Sequence, residues 1–188
     1  SALMTKIKGI KENGINGMGE IYYPKVGDKE PKIVMIGKDF FPTQYSLHQI
    51  LAYPESIPND QELYKQQREQ VVELLRETGL DYFIPQLDDK KDWGAVLSGG
   101  EMKKMLLISA IIRKPDILIL DEIFARLDPE SVKTVQQVLQ DVLKKYLSRS
   151  LILVIDHYAE TNNYKSFYDR ELHVENKTID IRDIVFAE

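Results

Sequence analysis

The sequence predicts an α/β fold with a mostly parallel sheet, into which a largely helical lobe is inserted. Two short runs, Ile117–Leu120 and Leu151–Ile155, are wholly apolar, as expected for parallel strands that helices cover on both faces. Between them, Glu130–Leu147 carries apolar residues at helical spacing, which predicts an amphipathic helix. Strand, helix and strand in this order favour a parallel sheet.

Four further strands are predicted toward the two ends of the chain. Glu20–Tyr23 and Lys32–Ile36 flank a turn rich in proline, glycine and aspartate, as short strands commonly do. Arg170–Val174 and Thr178–Ile181 flank the polar residues Glu175–Lys177. This second pair predicts a terminal hairpin.

Residues 39–115 interrupt the alternation of strands and helices, and we expect them to form the helical lobe. Residues 1–38 and 116–188 would then form the α/β core of one domain that spans residues 1–188. A chain of this length is typical of a single domain, with or without an inserted lobe.

Two helices are predicted inside the lobe. Gln61–Thr78 has apolar residues among charges, follows Asn59 and Asp60 as its predicted helix cap, and is stopped by Gly79. A second helix begins at Gly99, reaches about Ile112 and ends before Pro115, since a residue that precedes proline disfavours helical backbone. Between these helices, Pro85–Trp93 is predicted to be a polar linker.

Composition excludes several classes of function. The net charge of −5 and the pI near 5.3 argue against nonspecific nucleic-acid binding, which needs a basic surface. The absence of cysteine excludes disulfides and thiolate zinc sites. The apolar runs are too short to cross a bilayer, and Lys6, Lys8 and Lys11 interrupt any signal-peptide core. We therefore expect any membrane attachment to come from another polypeptide or from a segment outside this sequence.

Ser98 to Glu101 fits the S-x-x-E capping box, in which the serine and the glutamate satisfy two orphan amides of a helix start. Gly99 and Gly100 leave the first turn bare, so that a phosphate could approach the N–H groups at the positive helix end. Taken alone, the same residues are equally compatible with an ordinary helix cap that contains two flexible glycines.

Asp121 and Glu122 follow the first apolar strand directly, where ligands of open α/β sheets bind. One carboxylate there can hold Mg²⁺, usually through water, and the next can orient and deprotonate an attacking water. The alternative is that both are solvated loop residues, as acids at strand ends often are.

Asp128 and Pro129 have a structural interpretation, as the N-cap and first residue of the following helix. His157 comes just after the second apolar strand, so we expect its ring at the sheet edge that carries the two acids. His48 and His173 have no such context and are treated as structural or surface residues.

In this order, the motifs resemble those of the ATP-binding domain of ABC ATPases. Leu97–Glu101 is similar to the signature loop of that family, Ile117–Glu122 to its Walker B strand, and Leu127–Asp128 to its D-loop. His157 is similar to its switch histidine, and residues 19–175 fall under the resemblance. The fold implied is a P-loop NTPase-like α/β domain.

Two segments within the predicted lobe narrow the resemblance to one branch of the family. Phe41–Pro54 and Asp92–Leu97 resemble the branch of the family that includes peroxisomal fatty-acyl transporters and bacterial peptide-uptake proteins.

The resemblance implies a role for each candidate residue at the sheet edge, with ATP and Mg²⁺ as the cofactors. Asp121 would belong to the metal site. Glu122 would polarise the hydrolytic water, and His157 would contact the γ-phosphate. Asp128 would communicate between two nucleotide sites.

Family members sandwich nucleotides between two domains arranged head to tail. The resemblance therefore implies that Ser98, Gly99 and Gly100 bind the γ-phosphate of an ATP held by a second ABC ATPase domain, in a homodimer or a heterodimer. It also implies a transmembrane domain, on the same parent polypeptide, that places the protein at the cytoplasmic face of a membrane. Nucleic acid is not an expected partner.

Three features depart from the family pattern. Met102, Lys103 and Lys104 replace a more usual Gln/Lys-Gln-Arg run, a change expected to alter only contacts on the helix surface. Lys38 stands where a glutamine is expected after the strand Lys32–Ile36; lysine can reach a phosphate as a point charge but does not act as glutamine does toward metal and water. No G-x-x-x-x-G-K-[ST] phosphate loop occurs in the sequence. Ser1 is either the last residue of such a loop or unrelated to one. We expect a domain truncated at its N-terminus, which by itself hydrolyses ATP weakly or not at all.

Three functions stay open at this point. The first is the ATPase domain of a transporter that couples ATP hydrolysis to transport. The second is a catalytically degenerate ABC-like module that presents its signature loop to a partner. The third is a soluble ABC ATPase outside transport, although such proteins typically carry coiled-coil arms or basic patches, which this sequence lacks.

Overall fold

The computed structural model describes most of the chain between residues 29 and 183. Two compact units, Ser1–Pro31 and Lys32–Glu188, are distinguished, and the helices and strands below belong to the second. The described ranges are 29–37, 44–53, 59–155, 168–175 and 178–183. The predicted strand Glu20–Tyr23 lies outside them.

A three-stranded parallel sheet forms the centre of this unit, in the order β1-β2-β3. Its strands are β1 (Ile33–Ile36), β2 (Ile117–Asp121) and β3 (Leu151–Ile155). The central strand is the most deeply buried, with Leu118, Ile119 and Leu120 fully inaccessible. The predicted α/β fold with a parallel sheet is confirmed.

The prediction that β3 is buried on both faces is wrong. Leu151 exposes 54% of its surface, and the rest of the strand is only half-buried. Among the described strands β3 pairs with β2 alone and so lies at the edge of the three-stranded sheet, whereas β2 is flanked on both sides. An apolar sequence does not distinguish the two positions.

The helices lie largely where the sequence predicted them. Asp60 caps the helix Gln61–Glu77 by accepting hydrogen bonds from the amides of Glu62 and Leu63, at 3.0 and 2.9 Å, and Gly79, with φ +68°, follows the C-terminal end of this helix. The helices are α1 (Leu47–Ala52), α2 (Gln61–Glu77), α3 (Trp93–Val96), α4 (Gly99–Arg113), α5 (Pro129–Gln137) and α6 (Lys144–Tyr146).

The segment predicted as a polar linker, Pro85–Trp93, is a linker over residues 87–92, which belong to no helix or strand and are exposed or half-buried apart from Leu87, while its two ends lie in helices. A 3₁₀-helix covers Asp81–Gln86, so Pro85 lies in a regular element. Trp93 is fully buried; its indole N–H donates to the carbonyl of Asp89 at 3.3 Å, and its ring meets that of Phe83 edge to face at 6.0 Å. The prediction is therefore correct for the middle of the segment and misses the buried tryptophan at its end.

The long helix predicted over Glu130–Leu147 is interrupted. A π-helical segment, Val138–Leu143, joins α5 to α6, and its apolar residues face the core. Their spacing suits a π-turn as well as an α-turn, so the sequence pattern does not reveal the interruption.

The predicted terminal hairpin is confirmed. Strands β4 (Arg170–Glu175) and β5 (Thr178–Asp183) pair antiparallel. Glu175 pairs with Thr178, so both strands run longer than predicted and the connection has two residues. Within the described part of the chain, no helix has the length and apolar character needed to span a membrane.

His48 is a buried histidine of α1 rather than a surface residue. Its ring meets that of Tyr64 edge to face at 5.4 Å, and neither ring nitrogen has a hydrogen-bond partner among the described residues. Burial lowers the pKa of His48, and the charge of Arg68 lowers it further, while Asp88 acts in the opposite direction.

We expect this histidine to make the lobe sensitive to acid. Below pH 6.5 the unfolded chain protonates His48 while the folded chain resists protonation, so the free energy of unfolding falls as the pH drops from 6.5 to the lower pKa of the folded state. Urea unfolding at a series of pH values should show this loss, and His48→Phe should reduce it. An equal pH dependence in the variant would assign the effect to other groups.

Candidate functional site

The two adjacent carboxylates sit where the central strand ends. Asp121 is the last residue of β2 and pairs in register with Ile155 of β3. The amide of Glu122 donates to the carbonyl of Ile155 at 2.9 Å. Glu122 has φ +55°, a left-handed conformation that is uncommon for a residue other than glycine and recurs at functional sites. Asp121 is half-buried and Glu122 is exposed.

A tight turn connects these acids to the start of α5. The amide of Ala125 donates to the carbonyl of Glu122 at 3.0 Å, and Arg126 is a second left-handed residue, with φ +62°. The buried side chains of Ile123 and Phe124 anchor the turn in the core. The backbone therefore reaches α5 by a defined path.

Asp128 begins α5 as predicted. Its Oδ1 accepts hydrogen bonds from the amides of Glu130 and Ser131, each at 3.0 Å, and its Oδ2 accepts one from the Ser131 hydroxyl at 2.5 Å. The hydrogen bonds from Ser131 contribute most to lowering the pKa of Asp128. The predicted N-cap is confirmed, with Pro129 as the first helical residue.

The predicted capping box at the start of α4 is also confirmed. The Ser98 hydroxyl accepts from the amide of Glu101 at 3.3 Å, and the Ser98 amide donates to Glu101 Oε2 at 2.7 Å. The other oxygen, Oε1, accepts a hydrogen bond from the hydroxyl of Tyr82. Burial opposes ionisation of Glu101, but the hydrogen bonds from Tyr82 and Ser98 outweigh it and leave the pKa below its usual value.

The glycines of this turn serve a purpose that the sequence did not indicate. A Cβ on Gly100 would lie 2.9 Å from Ser131 Oγ and 3.1 Å from Ser131 Cβ, and one on Gly99 would lie 3.1 Å from Leu127 Cδ2. The glycines therefore allow α4 to approach the segment that begins α5. The sequence predicts either a turn left bare for a ligand or an ordinary cap with two flexible glycines, and the structure adds that these glycines permit close packing within the chain.

The structure thus brings two of the predicted motifs into contact, Leu97–Glu101 and Leu127–Asp128. Lys38 and His157 lie outside the described residues, so their placement stays a prediction. Ile155 lies beside Asp121 and two positions before His157. The described residues contain no cluster of three or more His, Asp or Glu side chains suited to a metal ion.

Two residues at the site were not found from the sequence. Ser131 completes the cap of Asp128 and contacts the signature-like turn, and an aspartate followed three residues later by serine could have suggested it. Tyr82 reaches Glu101 from 19 positions away, and no local pattern marks it.

The fold and this arrangement define the ATP-binding domain class that the sequence resembled. The ABC transporter family model matches residues 10–125, and the chain belongs to that family. The match spans the signature-like turn, the β2 strand and both acids that follow it.

Individual relatives agree with this assignment. An uncharacterised ABC transporter ATP-binding protein of Haemophilus influenzae is 27% identical over 70% of this chain and 20% of its own length. An aliphatic sulfonates import ATP-binding protein, SsuB 1, of Rhodococcus jostii is 35% identical over 59% of this chain and 42% of its own length. An inward-facing ABC transporter of a metal-chelate type has a similar fold, with a TM-score of 0.63 over 96% of this chain and 66% of that chain, at 19% identity.

These relatives bear on two of the sequence-based expectations. The chain spans less than half the length of the Haemophilus and Rhodococcus relatives. These relatives therefore do not show the activity of the whole protein. The peroxisomal and peptide-uptake branch finds no support among them, because the named functions are sulfonate import and metal-chelate transport.

Proposed function

We propose that this chain is the larger part of the ATPase domain of an ABC transporter, and that the complete protein hydrolyses ATP to drive transport. The observation that carries the proposal is the packing of the turn Ser98–Glu101 against Leu127–Ser131. This contact places the signature-like turn next to the D-loop-like segment, inside a chain whose family match covers the two acids after β2.

Asp121 and Glu122 supply the chemistry in this proposal. A single carboxylate suits Mg²⁺ that arrives with a nucleotide, since this ion usually takes one or two protein carboxylates, waters and substrate phosphates. The donor set fits, because Asp121 offers oxygen ligands at a fixed strand end. Bound Mg²⁺ would neutralise charge on the phosphates. Glu122, exposed and held by its amide to Ile155, would orient and deprotonate the attacking water.

Ser98, Gly99 and Gly100 would receive the γ-phosphate of an ATP bound to a second domain. The first amides of a helix have no carbonyl partner within it, and they lie at its positive end. Asp128, beside this turn through Ser131, would link the two nucleotide sites. Lys38 and His157 would contact phosphate oxygens.

The remaining parts of the proposal follow from the same assignment. Residues 39–115 would form the signature lobe, and 1–38 with 116–188 would form the catalytic core. A second ATPase domain and a transmembrane domain would be the partners, at the cytoplasmic face of a membrane.

ATP binding and Mg²⁺-dependent hydrolysis, measured in parallel for this chain and for the complete gene product, test the proposal. We expect hydrolysis by the complete product and weak or no turnover by the 188-residue chain, because positioning supplies nearly all catalysis in phosphoryl transfer. A complete product that contains no phosphate loop and hydrolyses no ATP would favour the second candidate, a degenerate module that lends its signature turn to a partner. The absence of a phosphate loop from this sequence and Lys38 in place of glutamine favour that candidate.

A further inference from the structure

A tyrosine outside the recognised motifs contacts the signature-like turn. Tyr82 lies in the 3₁₀-helix of the lobe, with about half of its surface exposed. Its hydroxyl donates to Glu101 Oε1, while Oε2 of the same carboxylate accepts the Ser98 amide at 2.7 Å. Both oxygens of Glu101 are therefore held by donors, one local and one from a distant part of the chain.

Packing fixes the position from which Tyr82 makes this contact. The neighbouring Phe83 is buried and meets the fully buried Trp93 edge to face. One turn after Glu101, Lys104 donates from its ammonium group to the carbonyl of Thr78 at 3.0 Å, just before the 3₁₀-helix begins. The start of α4 is thus joined to residues 78–82 at two points. Tyr82 is held close to the turn by the lobe itself.

The position of Glu101 explains why such a contact matters. Under the proposed function, the amides of Gly99 and Gly100 face a polyphosphate, and Glu101 places a negative charge in the same helical turn. Like charges at close range repel, more strongly where water is excluded. A hydrogen bond to an ionised carboxylate is strong and geometrically specific, so a donor that engages Oε1 restrains this charge.

We propose that Tyr82 is a positioning residue of the phosphate-binding turn, which restrains the Glu101 carboxylate so that an acidic residue can stand beside a bound phosphate. The proposal rests on the proposed function. In this proposal, the Tyr82 hydroxyl affects phosphate binding only when residue 101 carries a negative charge. Burial and then the bond to Glu101 raise the pKa of Tyr82 to about 12, so the phenol stays a donor at every pH at which the enzyme would be assayed.

The test is a cycle of Tyr82→Phe, Glu101→Gln and the double variant in the complete gene product. Glutamine at the third position of the helix preserves a capping box and removes the charge. We expect Tyr82→Phe to raise the KM for Mg-ATP roughly fivefold to tenfold with kcat within about twofold, as for a loss of uniform binding. In the Glu101→Gln background the same replacement should change KM by less than about twofold.

Tyr146→Phe is the matched control. Its hydroxyl also contacts carboxylates, Glu73 at 3.1 Å and Glu77 at 3.0 Å, but it joins α2 to α6 away from the turn. This variant should keep the wild-type KM, and thermal unfolding of the four variants and of the wild-type protein shows whether they are folded alike.

The possible results distinguish failure of the role of Tyr82 from failure of the proposed ATPase function. Wild-type ATPase activity with equal effects of Tyr82→Phe in both backgrounds, or with no effect in either, would overturn the role of Tyr82 and leave the ATPase assignment intact. An equal rise in KM in Tyr146→Phe would show a general structural effect and would also overturn it. A wild-type protein that neither binds nor hydrolyses ATP would end both proposals.

Discussion

Replacing Glu122 with glutamine should lower Mg²⁺-dependent ATP hydrolysis by the complete gene product by about 10²- to 10⁴-fold, the usual contribution of a general base. Glutamine keeps the size of the side chain and its hydrogen-bonding capacity but does not accept a proton from water. The amide of Glu122, which donates to Ile155 at 2.9 Å, is unchanged by the replacement. We therefore expect the fold and ATP binding to be retained while turnover is lost.

Turnover and nucleotide affinity should be measured on the same preparation. Glu69→Gln is a suitable control, because it removes the same charge from an exposed position of α2. Unchanged turnover in Glu122→Gln would remove this residue from the mechanism. Equal losses in both variants would point to net charge rather than to a base at the sheet edge.

Replacing Gly100 with alanine should destabilise the protein by about 1–3 kcal/mol, a cost typical of overpacking. Alanine favours helix over glycine by about 1 kcal/mol, so helix propensity alone predicts the opposite sign. The added Cβ would lie 2.9 Å from Ser131 Oγ, and that oxygen is already committed to Asp128 at 2.5 Å. Either the two helix starts separate or the Ser131 hydroxyl loses its hydrogen bond to Asp128 Oδ2.

Denaturant unfolding of Gly100→Ala and of Gly99→Ala measures this difference. At Gly99 the nearest atom is the end of the Leu127 side chain, at 3.1 Å, and a flexible side chain can move aside at low cost. The double variant Gly100→Ala with Ser131→Gly should recover part of the loss, because the crowding atoms are removed. A stabilised Gly100→Ala protein, or equal losses at both glycines, would contradict the close contact between α4 and α5.

The local predictions succeeded where a few neighbouring residues determine the outcome. Asp60, Ser98 and Asp128 each cap the helix that the sequence assigned to them, because a cap depends on an oxygen and amides two or three residues apart. The central strand was also predicted correctly, because a run of four apolar residues is typical of a parallel strand that is covered on both faces.

The predictions that failed concern burial and neighbours that the local pattern does not specify. Trp93, at the end of a polar stretch, is part of the core, and β3 is an edge among the described strands although it is as apolar as β2. Composition indicates what a segment can bury and leaves open which surface covers it.

The amino-acid sequence by itself determined the order of strands and helices, their caps and the family to which the site belongs, because these depend on residues a few positions apart. Only the tertiary structure decided that Gly100 meets Ser131 and that Tyr82 holds Glu101. Those contacts join residues 31 and 19 positions apart. They exist because the chain packs α4 against the 3₁₀-helix and against the start of α5. The spacing of residues along one segment does not specify which segments pack together.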